Sequence, residues 1–79
     1  MPNIAVVDGV KINVYANDHL PPHIHAIYAE YEALIAIAGQ TAIQGFLPRK
    51  QLKTACKFVT CNETALSDLF YQLNIKLRK

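Results

Sequence analysis

The chain has 79 residues and a mass of 8.8 kDa, with 52% apolar and 18% charged residues. This length accommodates one domain, residues 1–79, and the composition favours a compact core, which excludes a solenoid, a two-domain enzyme and a disordered linker. A domain of this size buries only about 60% of the surface of its unfolded chain, so disulfides, a metal or a partner subunit commonly add stability.

The net charge of +2 conceals an uneven distribution of charge along the chain. Residues 1–48 carry four acidic side chains and one basic side chain, whereas residues 49–79 carry seven basic and two acidic side chains. This asymmetry predicts that a polyanion or an acidic partner contacts the second part of the chain.

Alternating apolar residues and turn dipeptides predict an antiparallel meander of four to five strands in the first part. Asp8-Gly9 suits a two-residue type I′ turn, and Gly39-Gln40 fits a type II′ turn. The two consecutive prolines, Pro21 and Pro22, predict a stiff loop before the third strand. The predicted strands cover residues 4–7, 10–16, 24–28, 31–38 and 41–46.

The apolar period changes from two to that of a helix after residue 48. One stripe consists of Leu52, Ala55, Cys56 and Val59, and a second begins after Asn62, which is suited to cap a helix N-terminus. The second stripe consists of Leu66, Leu69, Phe70, Leu73 and Leu77. We therefore expect an α+β fold in which an antiparallel β-meander precedes two C-terminal helices packed on one face.

Cysteine spacing and the N-terminus indicate the compartment. Cys56 and Cys61 are five residues apart on a predicted helix, so their thiols point to different sides and cannot form a disulfide without unwinding it. The first residues have no basic segment followed by an apolar run, and the longest apolar run is too short to span a membrane. A reducing cytoplasm with core thiols is the simplest expectation.

Three histidines lie within seven residues, around the proline pair: His19, His23 and His25. If a strand starts at His23, the imidazoles of His23 and His25 project from one face, about 6.6 Å apart along the strand. This pair could supply a general base and a general acid, because an unperturbed imidazole titrates near neutrality. The same spacing also permits a shared metal ion.

His19 is more difficult to bring to the same point. In extended polyproline geometry it would lie about 12 Å from His23, so a three-histidine site requires a proline turn or a cis bond between the prolines. Asp18 could orient an imidazole, as could Glu30 and Glu32. The alternative is structural: the prolines set a rigid crossover, and the histidines are half-buried polar residues that cap strand ends.

A row of cations follows one face of the first predicted helix. Lys50, Lys53 and Lys57 share this face, and Arg49 lies at its start. Such a row can contact a nucleic-acid backbone without reading bases, or it can be the solvated face of an amphipathic helix. Three aromatic residues could stack on unpaired bases or serve as ordinary strand residues: Tyr15, Tyr28 and Tyr31.

Several motifs together resemble a family of small bacterial proteins. They are Asp8-Gly9, the run Asn17-Asp18-His19-Leu20-Pro21-Pro22-His23-Ile24-His25-Ala26, Tyr28, and the segments 30–33 and 45–49. On these residues the chain resembles domain of unknown function family 4160, over nearly its whole length. It differs from the family in having Ala29 where glycine is usual, and in having no tryptophan, whose space Phe58 and Phe70 could fill.

The resemblance implies the toxin of a type II toxin–antitoxin module, which acts on RNA or translation and is neutralised by a cognate antitoxin protein. Our sharpest hypothesis is a metal-independent endoribonuclease in which His23 and His25 act as acid and base and Asp18 orients one imidazole. In this hypothesis Arg49 and Lys50 stabilise the charge that develops on the phosphorane. The candidate catalytic residues are His23, His25, Asp18 and His19, and the candidate nucleic-acid-binding residues are Arg49, Lys50, Lys53 and Lys57.

The second hypothesis is a non-catalytic regulatory module that binds a metal or a partner through the histidine loop. Under the leading hypothesis we expect no cofactor and no bound metal, an antitoxin partner, RNA as a possible second partner, no membrane association, and a homo- or hetero-oligomer. The two hypotheses differ in whether the histidines perform chemistry or only hold a ligand.

Overall fold

The computed structural model describes residues 3–16 and 20–75. These residues form five strands and two helices, and the strands make one antiparallel sheet in sequential order. The elements are β1 (Asn3–Val7), β2 (Val10–Asn13), β3 (His23–Tyr28), β4 (Tyr31–Ala36), β5 (Ala42–Gly45), α1 (Arg49–Cys61) and α2 (Glu63–Leu73). The predicted α+β meander followed by two helices is confirmed.

The two predicted glycine turns have different outcomes. Asp8 and Gly9 both have positive φ, at 50° and 82°, as a type I′ turn requires. Gly39 and Gln40 also both have positive φ, at 81° and 47°, so the predicted type II′ turn is wrong, because that type needs positive φ only at its first central residue. The side-chain amide of Gln40 donates to the Ile37 carbonyl over 2.6 Å, which holds this longer connection between β4 and β5 in place.

One face of the sheet is covered by the helices. Ile12, Ala26 and Ala33 are aligned across β2, β3 and β4, and all three are fully buried. They form one core with α1 and α2, in which Val59 and Phe70 are fully buried as well. Burying each large aliphatic side chain contributes about 1.5–3 kcal/mol, so this helix-covered face supplies most of the stability.

The opposite face carries the polar side chains of the same strands. His25 is aligned with Asn13 on β2 and Leu34 on β4, and Lys11 is aligned with Ile27. Because side chains alternate along a strand, these residues point away from the core-facing Ile12, Ala26 and Ala33. We call this surface the histidine face.

The two helices meet at Asn62. Its backbone lies at the end of α1 and the start of α2, as the predicted N-cap position requires, but its side chain makes no capping hydrogen bond to α2. The amide instead donates to the Phe58 carbonyl over 2.9 Å, four residues earlier, and so satisfies the end of α1. Cys56 and Cys61 are both free thiols, in agreement with their spacing.

Neither α1 nor α2, the helices in the described ranges, is long and apolar enough to cross a bilayer.

Candidate active site

The start of β3 fixes the direction of two histidines. Pro22 has no N–H to pair, but its carbonyl accepts a hydrogen bond from the Ile37 amide at 3.0 Å, so sheet pairing continues up to the strand. β3 then begins at His23, which is the condition that places His23 and His25 on one face. Their ring centroids lie 5.1 Å apart with a tilt of 52°.

His23 lies entirely inside the protein. Its exposed fraction is 0%, and its ring packs 5.6 Å from the ring of Phe70 on α2. Nδ1 lies 2.7 Å from the carbonyl oxygen of Pro21, and because a carbonyl only accepts, this nitrogen carries the proton. The ring of His23 is therefore held in place by the Pro21 carbonyl and by packing against the core.

His25 is held by a carboxylate and is partly open to solvent. Its Nδ1 lies 3.0 Å from Oε2 of Glu32, and the exposed fractions of the two side chains are 14% and 49%. Because an ionised carboxylate only accepts, Nδ1 carries the proton and, in the neutral imidazole, the lone pair lies on Nε2. The contact therefore selects the tautomer of a general base.

The register of the β3–β4 hairpin brings Glu32 to His25. Tyr28 and Tyr31 are paired at the turn, which aligns Ile27 with Glu32 and His25 with Leu34. Glu32 is thus the diagonal neighbour of His25 on the same face, within reach of a long side chain. A slip of one residue in this register would move the carboxylate to the core face.

Tyr15 and two asparagines support His25 from the β2 side. The ring of Tyr15 meets that of His25 edge-on at 4.5 Å, and the Tyr15 hydroxyl accepts a hydrogen bond of 2.8 Å from the amide of Asn13. The buried amide of Asn74, at the end of α2, donates to the backbone carbonyls of Tyr15 and Phe70, each at 2.9 Å. Helix α2 is in this way tied to the segment that holds His25.

We call the group formed by Asn13, Tyr15, His23, His25 and Glu32 the histidine cluster. An imidazole with one nitrogen oriented by a carboxylate can remove a proton from a hydroxyl group, and the carboxylate then stabilises the imidazolium. Within residues 3–16 and 20–75, no group of three or more histidine, cysteine or acidic side chains is arranged to hold a metal ion. The contact between His25 and Glu32 is a geometry that suits proton transfer by the imidazole.

The predicted site residues are distributed over different parts of the molecule. His23 and His25 come together, whereas Asp18 and His19 lie outside the described residues. Helix α1 carries the predicted cations and packs against β1 and β2 on the helix-covered face, away from the histidine cluster. The predicted cations on α1 are Arg49, Lys50, Lys53 and Lys57. Two of them, Lys53 and Lys57, lie beside the turn between β1 and β2.

The sequence pattern selected some partners of His25 and missed others. Glu32 is one of the three acids that the sequence offers as a partner for an imidazole. The hairpin register selects it, because a two-residue turn at Ala29-Glu30 pairs Ile27 with Glu32. The predicted second strand, residues 10–16, includes Tyr15, but β2 ends at Asn13. The contact of Tyr15 with His25 joins two different elements, so alternation along one strand does not predict it. Asn74 carried no signal, since its contact with Tyr15 spans 59 residues.

The fold and the cluster define a small α+β protein with an oriented histidine on its exposed sheet face. A family model described as "Domain of unknown function (DUF4160)" matches residues 9–70, so the chain belongs to this family. The matched range contains every member of the histidine cluster. No curated protein and no solved structure matches the chain.

Proposed function

We propose that this protein is the toxin of a type II toxin–antitoxin module and that it cleaves RNA in the cytoplasm, with His25 as the general base. The observation that carries the chemistry is the 3.0 Å contact between Nδ1 of His25 and the carboxylate of Glu32. The toxin role, and an antitoxin partner that neutralises the toxin, are supported by the resemblance of the chain to its family. The buried His23, which was a candidate acid or base, is assigned to positioning.

In the proposed reaction, Nε2 of His25 takes the proton from a ribose 2′-hydroxyl as its oxygen attacks the adjacent phosphorus. The bond from phosphorus to the 5′-oxygen breaks, which leaves a 2′,3′-cyclic phosphate and a 5′-hydroxyl end. The imidazolium formed on His25 is stabilised by Glu32. Because the nucleophile is the 2′-hydroxyl, the reaction is restricted to RNA.

The departing 5′-oxygen needs a proton from a general acid. The sequence hypothesis gives the acid and base roles to His23 and His25, with Asp18 orienting one imidazole, but His23 is fully buried. We therefore assign the general acid to His19, the other histidine among the catalytic candidates, which lies outside the described residues.

The test is controlled expression of the wild type, His25→Ala and Glu32→Gln in bacteria, followed by growth curves and mapping of RNA ends. The wild type is expected to arrest growth and to produce 2′,3′-cyclic phosphate ends. Loss of the base should lower the cleavage rate of purified protein by about 10²–10⁴-fold. Glu32→Gln should lower it by at least about tenfold, because the amide no longer stabilises the imidazolium.

Glu30→Gln is the matched control, since Glu30 is an exposed acid of the same hairpin, two residues from Glu32. It should leave growth arrest and RNA cleavage unchanged. Equal toxicity of the wild type and His25→Ala would refute the catalytic role of His25. Growth arrest without RNA cleavage would favour the non-catalytic binding module, and the absence of any growth effect would refute the toxin assignment.

A further inference from the structure

A groove lies between helix α1 and the turn that joins β1 to β2. Its volume is about 450 Å³, within the range of about 300–1,000 Å³ found for small-molecule sites. The side chains that matter for its chemistry are Asp8, Lys53, Lys57, Phe58, Cys61 and Asn62. It is separate from the histidine cluster, because α1 packs on the opposite face of the sheet.

The groove offers two cations on one side. Lys53 and Lys57 are four residues apart on α1, so they lie one turn above each other, and both are exposed. Neither lysine forms an ion pair with another of the described residues. Two ammonium groups at this spacing suit the oxygens of one phosphate group, which accepts charge-assisted hydrogen bonds.

The remaining lining suits a flat ring and hydroxyl groups. Phe58 is partly buried against the core and presents a ring on which a base can stack. The amide nitrogen of Asn62 donates to Phe58, which leaves the amide oxygen as an acceptor for an exocyclic amine. The carboxylate of Asp8, in the type I′ turn, can accept hydrogen bonds from ribose hydroxyls.

We propose that this groove binds a nucleoside monophosphate group, with the phosphate on Lys53 and Lys57, the base on Phe58 and the ribose near Asp8. The ligand is either a free nucleotide or the phosphorylated end of an RNA strand, which carry the same chemistry. The site is independent of the proposed cleavage at His25, because none of its residues belongs to the histidine cluster.

The wild-type protein supplies its own reporter of occupancy. Cys61 is exposed and lines the groove, whereas the Cys56 thiol is not part of the lining and donates to the carbonyl of Gln40. Burial also raises the pKa of the Cys56 thiol, so it reacts slowly and serves as the internal reference. The rate of Cys61 alkylation therefore measures whether the groove is filled.

The experiment adds AMP to the full chain and follows Cys61 alkylation and backbone amide NMR shifts. AMP should slow alkylation of Cys61 and shift the amides around the groove, with an affinity that falls as salt rises. Lys53→Ala and Lys57→Ala should each weaken AMP binding by about tenfold. Lys50→Ala, which removes a charge from the same helix outside the groove, should change it less than about twofold.

Three further ligands identify which part of the nucleotide is recognised and whether it comes from a free nucleotide or from an RNA end. Adenosine or inorganic phosphate alone should bind at least about tenfold more weakly than AMP, because each lacks one half of the contacts. A four-nucleotide RNA with a 5′-phosphate that binds more tightly than AMP assigns the ligand to an RNA end, and weaker binding assigns it to the free nucleotide.

Three results would overturn the proposal. They are equal protection by AMP and inorganic phosphate, equal effects of Lys50→Ala and Lys53→Ala, and no protection of Cys61 at millimolar AMP. RNA cleavage by Lys53→Ala is measured alongside AMP binding. If AMP fails to bind, the groove proposal is refuted, but the test of His25 in RNA cleavage is unaffected, so the two proposals can fail separately.

Discussion

The two faces of the sheet use the same strands for different purposes. On β3, Ile24 and Ala26 are fully buried under the helices, whereas the alternate residue His25 is partly exposed beside Glu32. His23 is the exception on its face, because it is fully buried and contacts the core ring of Phe70. The comparison teaches that stability and proposed activity should separate residue by residue along one strand, except at His23.

Phe70→Ala tests the helix-covered face and should have the largest effect on stability. Phe70 is fully buried, and its truncation leaves a cavity between α2 and the sheet. The expected loss is about 3–5 kcal/mol of unfolding free energy, a large part of the total for a small protein. Urea denaturation measures it, with the 63% exposed Ile75→Ala as a control that should change stability by less than about 0.5 kcal/mol. A loss below about 1 kcal/mol for Phe70→Ala would contradict the assigned core.

The stability losses of His23→Ala and His25→Ala test whether two histidines on the same sheet face have different structural roles. Removing His23 empties a buried site and leaves the Pro21 carbonyl without its donor, so we expect a loss of about 2–4 kcal/mol. His25→Ala should cost less than about 1 kcal/mol, because its ring and its carboxylate partner are partly solvated. Thermal melts of the two variants provide the measurement. Equal destabilisation would show that the two histidines have the same structural role.

The fold could be predicted because its signals are local. Asp8-Gly9 fixes the first hairpin, and the change from a period of two to a helical period marks the boundary between sheet and helices. β3 begins at His23, one residue before the predicted start at residue 24 and directly after Pro22, which limits the strand on its N-terminal side. These features depend on neighbouring residues and elementary backbone geometry.

The candidate site could be predicted only in part, because its contacts join distant elements. The pair formed by His23 and His25 follows from strand alternation, but the burial of His23 depends on Phe70, which is 47 positions later. The contact between Tyr15 and His25 joins the segment after β2 to β3, so the alternation of the predicted strand 10–16 does not reveal it. The separation of the lysine row from the histidines likewise follows from how α1 crosses the sheet.

Gly45→Ala should disturb both faces through β4. Gly45 has a φ of +84°, and an added Cβ would lie 2.2 Å from the backbone oxygen of Glu32. We expect a loss of at least about 2 kcal/mol, from positive-φ strain and from displacement of the strand that holds Glu32. Gly39→Ala is the control, because it has a similar φ of +81° but its nearest atom is 3.8 Å away. Denaturation of both variants separates the clash from the φ strain, and equal losses would contradict the close approach.

Ala29→Gly should stabilise the hairpin that sets the register between His25 and Glu32. Ala29 has a φ of +54°, in the left-handed region that a Cβ disfavours. Relief of this strain exceeds the extra entropy of glycine in the unfolded chain, so we expect a gain of about 1 kcal/mol. A melting temperature unchanged or lowered relative to the wild type would show that Ala29 is not strained.

The smallest expected effect is on the pH dependence of the unfolding free energy, through Cys56 on the helix-covered face. Burial raises the pKa of this thiol, and its Sγ donates to the Gln40 carbonyl at 3.4 Å. A raised pKa means that the folded protein holds this proton more tightly than the unfolded chain does. The resulting stability is fully present below the unfolded thiol pKa and is lost as the pH rises through the folded value. Between pH 8 and pH 10 the wild type should therefore lose more unfolding free energy than Cys56→Ala, whereas Cys61→Ala, which removes an exposed thiol, should follow the wild type. Parallel curves for the wild type and Cys56→Ala would show that burial of this thiol does not favour its protonated form.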